Sequence, residues 1–134
     1  MPRIPDDLVV TPAEAAALGG RLLAEGLPFH AHEVFEAAWK SAHGPERELW
    51  RGLAQIAVGL AHARRGNATG AVTLLSRGAA RVRGIEAGDL AASDLISPGY
   101  LAASADDLAA RISGHGLPSI GEQDLRLSLR PAPS

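Results

Sequence analysis

The chain has no cysteine, which excludes disulfides and thiolate chemistry and fits a reducing compartment. Aromatic residues make up only 4% of it, and lysine occurs once against 12 arginines. With 26 alanines in 134 residues, that imbalance reads as a compositional bias of the genome, and it favours helices with thin cores. An excess of one sign of charge is also missing: the formal net charge is -2 and the pI about 6.2. No global basic field therefore draws the chain to nucleic acid or to an anionic membrane. No window reaches the ~18 uncharged apolar residues of a membrane span, and the first seven residues hold no apolar signal core. A cytoplasmic location is the expectation. The length suits one domain, 1–134, able to bury roughly two-thirds of its unfolded surface.

What the chain does have is concentrated between Phe29 and Gly84. Both tryptophans, both phenylalanines, four of the five histidines and Lys40 fall there. Helix punctuation organises the same region. Thr11-Pro12-Ala13-Glu14 reads as an N-cap, a proline in the first turn and a capping-box glutamate, opening a helix to about Glu25. Gly26 ends it. A second helix is predicted from Phe29 to His43, and Gly44-Pro45 both closes it and opens a third, to about Arg65. Gly66 suits a left-handed C-cap position, and Asn67 is a good N-cap for a fourth helix running to about Glu86.

Beyond Gly88 the signal weakens. Pro98-Gly99 reads as a break, Ser104 to Ile112 as a short helix, and Gly114 to Gly121 as a loop. Leu125 to Arg130 alternates with period two, as in a short strand or a tail laid over the surface. Residues 1–10 are expected to be extended and 131–134 disordered. The predicted fold is all-α: an antiparallel bundle of about four main helices, core about 12–88, with a short irregular C-terminal extension over 89–134. Short connections between helices two, three and four force them to run antiparallel.

At about 100° per residue, helix three is apolar over most of its circumference, leaving a strip of Glu48, Gly52, Gln55, Gly59 and His62. Such a helix is central. The two glycines on that strip would let a neighbouring backbone come close. Helix two carries His32 beside its apolar arc, with Glu36 slightly beyond it. Counting outward from the Gly44-Pro45 turn places His32 level with Gln55 and Glu36 near Gly52. A polar cluster across the two helices follows. Trp39 and Trp50 lie on their helices' apolar arcs and read as core anchors.

These blocks resemble a known family. His32-Glu33-x-x-Glu36-x-x-Trp39, the apolar helix bearing Gln55 and His62, and Arg65-Gly66-Asn67-x-x-Gly70-Ala71 are similar to the bacterial and archaeal family called domain of unknown function 309. The resemblance covers about Phe29 to Ile85. It implies a compact, cytoplasmic helical bundle, and it brings no reaction. Gln55 to Gly78 is also spaced like a single tetratricopeptide hairpin, read here as convergent helix packing because one repeat makes no solenoid.

Several chemistries compete for the cluster. His32 and Glu36, four apart on one face, can present a nitrogen and an oxygen to a divalent metal ion, with His62 and Gln55 completing the site. Alternatively, His32 and Glu36 are acid-base catalysts. In the plainest reading, Glu36 pairs with Lys40 and His32 hydrogen-bonds Gln55 or Glu36 at the core's edge. No nucleophile or phosphate loop accompanies them. From Arg64 to Ile85 there are five arginines and no acidic residue, and Arg77 with Arg81, four apart, is the pair suited to a small anionic ligand. Nucleic acid is disfavoured because no aromatic stands among these arginines to stack a base. The expected role is a binding or interaction module, with a metal-dependent or acid-base enzyme as the alternative. Alanine-rich faces that five aromatics cannot cover suggest a homo-oligomer.

Overall fold

A computed structural model describes residues 4–5 and 7–132 of the chain. Its elements are five α-helices: α1 (Pro12–Ala24), α2 (Pro28–Ser41), α3 (Pro45–Arg64), α4 (Ala68–Arg83) and α5 (Pro98–His115). Short 3-10 turns over Ala87–Asp89, Leu117–Ser119 and Glu122–Leu125 complete the list, and no strand occurs among the described residues. No helix among them is long and apolar enough to cross a membrane.

The helix ends follow from local chemistry. Thr11 Oγ1 accepts from the Glu14 amide at 3.1 Å while the Glu14 carboxylate accepts from the Thr11 amide at 2.9 Å. Two orphan donors are satisfied at once. Between α3 and α4, Gly66 adopts a φ of +82°, and Asn67 Oδ1 accepts from the Gly70 amide at 2.9 Å. That conformation favours glycine, so the tight α3–α4 turn depends on it.

Consecutive helices pack on one another, α1 on α2, α2 on α3, α3 on α4 and α4 on α5. The α3–α4 contact is the tightest. A Cβ added at Gly52 would lie 3.0 Å from the Gly78 carbonyl oxygen, and one at Gly59 would lie 3.0 Å from the Leu75 nitrogen. Pairing of Gly52 with Gly78 and Gly59 with Leu75 fixes these helices as antiparallel. The glycine strip expected from the helical wheel is thus where a neighbouring backbone comes closest.

Two expectations about the C-terminal third are corrected. Pro98-Gly99 is no break: Pro98 occupies the first turn of α5, where its missing N–H costs nothing. The helix then runs 18 residues, not merely Ser104 to Ile112, and buries Leu101, Ala105, Leu108 and Ile112 on one face. The hydrophobic cluster accordingly extends past residue 88 to Leu129. The alternating segment after Leu125 is a tail on the surface of the fold. Leu129 Cδ1 comes within 3.3 Å of the position of a Gly20 Cβ, and the Ser97 amide donates to the Leu129 carbonyl at 2.8 Å. Of the terminal stretches, residues 1–3, 6, 133 and 134 lie outside the described residues; Ile4 is buried in the core.

Beyond the buried Leu125 and Leu129, the tail is held by charge. Arg64 of α3 donates through both terminal nitrogens to the two Glu122 oxygens, at 2.9 and 2.7 Å, and Arg126 Nε donates to Glu122 at 3.1 Å. The Arg64 hydrogen bonds, followed by the contact with Arg126, hold the Glu122 carboxyl below its ordinary value of 4.5. A carboxyl depressed by folding adds stability that is complete above its unfolded value and is lost as pH falls through its folded one. Protection factors of the amides of residues 122–130, corrected for the intrinsic slowing of exchange in acid, are therefore expected to fall below about pH 4 relative to pH 6, before the α3–α4 pair opens. Equal protection of the tail at both pH values would contradict this assignment.

Candidate functional site

The α2–α3 turn brings the polar cluster together. His32, Glu36 and Trp39 on α2 face Arg51, Ala54, Gln55 and Val58 on α3 across a cavity of about 220 Å³, which Leu74 of α4 closes from the side. His32 and Gln55 thus border one space, as counting outward from Gly44-Pro45 predicts. The helical register supplies this. Phe35 stacks on Trp50 with ring centroids 6.0 Å apart, and one turn on either side of that contact lie the His32–Gln55 and Trp39–Arg47 levels.

His32 Nε2 stands 3.1 Å from Glu36 Oε1, with the histidine side chain 19% exposed and the glutamate 53%. Phe29 lies beside the imidazole, 5.6 Å between ring centroids. A smaller cavity of about 100 Å³ adjoins on the other side of the same pair, against Pro5, Phe29 and Lys40. The His32–Glu36 pair is therefore the wall between two openings. His32 Nδ1 is buried without a hydrogen-bond partner.

Gln55 is held from behind. Arg81 Nε donates to Gln55 Oε1 at 3.0 Å, and Arg81 NH1 donates to both Glu48 oxygens at 3.1 and 3.0 Å. Arg81, singled out in the sequence as an anion binder, already has its anion in Glu48. The same guanidinium holds the Gln55 amide oxygen. With the amide oxygen engaged, the donors left to Gln55 are its Nε2 hydrogens. Arg77 is exposed and is not among the residues lining the cavity.

His62 stands apart from the group in which the sequence placed it. Asn67 Nδ2 lies 3.2 Å from His62 Nδ1, and the imidazole packs where a Gly70 Cβ would be. The reason is distance along the axis. Seven residues return to the same helical face but about 10 Å farther on, beyond the level of His32. No group of three or more His, Asp or Glu residues among those described could hold a metal ion, so His32, Glu36 and His62 do not form a ligand set.

Trp39 and Arg51 also border the cavity, although the sequence pattern marks Trp39 as a core anchor and gives Arg51 no role. Trp39 is half-buried, with the Arg47 guanidinium 4.2 Å and that of Arg51 5.6 Å from its ring centroid. Trp50, by contrast, is wholly buried, and its Nε1 donates to Glu46 at 3.1 Å. The signal for Trp39 was available, since the same count from the turn sets it opposite Arg47, with Arg51 one turn farther. Neither arginine makes an ion pair with a described carboxylate, whereas Arg64, Arg81, Arg83, Arg111 and Arg126 all do.

The chemistry available here is recognition by donors, a flat ring and a His–Glu pair, over an apolar floor. No curated protein and no solved structure matches the chain. Residues 17–74, from α1 into α4 and including all the lining residues, match the model of the family described as "Domain of unknown function (DUF309)", so over that segment the chain is similar to that family.

Proposed function

We propose that the protein is a small-molecule binding module whose site is the cavity between α2 and α3. The observation that supports this most is the meeting of His32, Glu36, Trp39, Arg51 and Gln55 around one partly apolar space. Apolar walls with a few convergent polar groups are the usual makeup of ligand pockets, and at about 220 Å³ this one fits a ligand smaller than a drug. The Glu48–Arg81–Gln55 chain favours the reading, because it fixes a donor at the cavity edge before any ligand arrives.

A ligand-observed NMR screen of small fragments on the full chain tests the proposal, with Leu74→Trp as the variant that fills the space from α4. Fragments are expected to bind the wild type in the millimolar range and to lose at least tenfold in affinity in Leu74→Trp, whose thermal midpoint should stay within a few degrees. No binder at all, or equal binding to both proteins, sinks the proposal. A second reading, acid-base chemistry on His32 and Glu36, has the 3.1 Å contact in its favour and requires a substrate in the same cavity.

A further inference from the structure

The polar groups around the cavity are unequal, and their inequality selects a ligand. The charges of Arg81 and Glu48 cancel against each other. Glu36 is engaged with His32. That leaves the Arg51 guanidinium, without a carboxylate partner among the described residues, and one turn along the same helix the Nε2 hydrogens of Gln55. Both groups are donors. Resting on the binding reading above, we infer that the occupant is a small monocarboxylate with a flat or branched apolar body, its carboxylate on Arg51 and Gln55 and its body on Ala54, Val58 and Leu74, beside Trp39.

Each competing class meets a specific obstacle. A cation would seek the electron-rich face of Trp39, but two guanidinium groups already lie against that ring. A phosphate-type dianion would carry its second charge into a cavity whose other wall is the half-exposed Glu36 carboxylate. A neutral polar ligand would bring no charge to the Arg51 guanidinium that lines the cavity. One negative charge matches Arg51, the arginine that lines the cavity and has no carboxylate partner among the described residues, and the planar guanidinium fork suits a carboxylate better than a point charge would. The Gln55 amide is held in place by Arg81, so it can donate without reorganising.

The test pairs acids with their neutral isosteres. Benzoate, phenylacetate and isovalerate, each with the corresponding amide, are titrated into the full chain and followed by the Trp39 indole resonance, in the wild type, Arg51→Gln and Arg51→Lys. At least one acid is expected to bind about tenfold or more tightly than its amide, as a charged hydrogen-bonded pair against a neutral one requires. Arg51→Gln should abolish the preference, and Arg51→Lys should keep part of it. Arg51 is exposed, so both variants should fold. Acids and amides binding alike, or an acid preference surviving in Arg51→Gln, overturns the carboxylate inference while the cavity keeps its place. If these compounds fail and other fragments bind in a Leu74-dependent way, the ligand class is wrong and the site is right. If nothing binds at all, both fall.

Discussion

Phe35→Ala is expected to remove about 3–5 kcal/mol of folding stability, the usual range for an aromatic deleted from a packed core. Phe35 has no exposed surface and touches two neighbouring helices at once. Its ring stacks on Trp50 of α3, and its Cε1 would lie 2.2 Å from a Cβ added at Gly19 of α1. The absence of a side chain at Gly19 is thus part of the same packing unit. Alanine would leave a hole that three helices border, and Trp50 cannot fill it without giving up its hydrogen bond to Glu46. In a denaturant melt the midpoint should fall sharply with little change in slope. Phe29→Ala, on the same helix but 44% exposed, serves as the control and should cost about 1 kcal/mol or less. A Phe35→Ala loss no larger than that of the control would mean that α1, α2 and α3 do not share this core.

Helices α1 to α4 announce themselves because their ends are written in residues with one dominant local use: Thr11 with Glu14 as a capping box, Gly44-Pro45 as a stop and a start, Gly66-Asn67 as a left-handed turn and a cap. Helix α5 does not, because Pro98-Gly99 serves equally well as a break or as a first turn. Its apolar face of Leu101, Leu108 and Ile112 is diluted by alanine and has meaning only against α4. For the site, a short turn makes register countable, so His32, Glu36 and Gln55 could be placed together. His62 shows the limit of a helical wheel, which reports direction around the axis and discards distance along it. Trp39 shows another limit. An aromatic on an apolar arc reads as core, and whether one face stays open depends on long side chains such as Arg47 and Arg51, whose paths no periodicity fixes. The Glu48–Arg81–Gln55 chain escaped for the same reason.

Gly78→Ala is expected to destabilise the protein by about 2 kcal/mol even though alanine is the better helix former. The added Cβ would lie 2.6 Å from the Gly52 carbonyl oxygen, 2.6 Å from Ile56 Cγ1 and 3.0 Å from the Ile56 nitrogen. Two of those three atoms are backbone of α3, so no rotamer change can relieve the overlap and the helices must separate. Overpacking of this kind costs about 1–3 kcal/mol or somewhat more, against which the gain in helix propensity returns at most about 1 kcal/mol. Gly114→Ala isolates the second effect. Gly114 lies in the last turn of α5 with nothing within 4 Å of its added Cβ, so there the propensity gain should appear alone, as a stabilisation of up to about 0.5 kcal/mol, less than in a helix interior. Opposite signs at the two positions, measured by chemical denaturation, are the expected result; a stabilising Gly78→Ala would mean that α3 and α4 are not in backbone contact. The strain should also reach the cavity. Three residues after Gly78, Arg81 holds Gln55, and four residues before it Leu74 closes the side wall. A shift of α4 away from α3 lengthens the first contact and opens the second, so Gly78→Ala should weaken the binding of any fragment that occupies the cavity on the proposed reading, while leaving every lining residue unchanged.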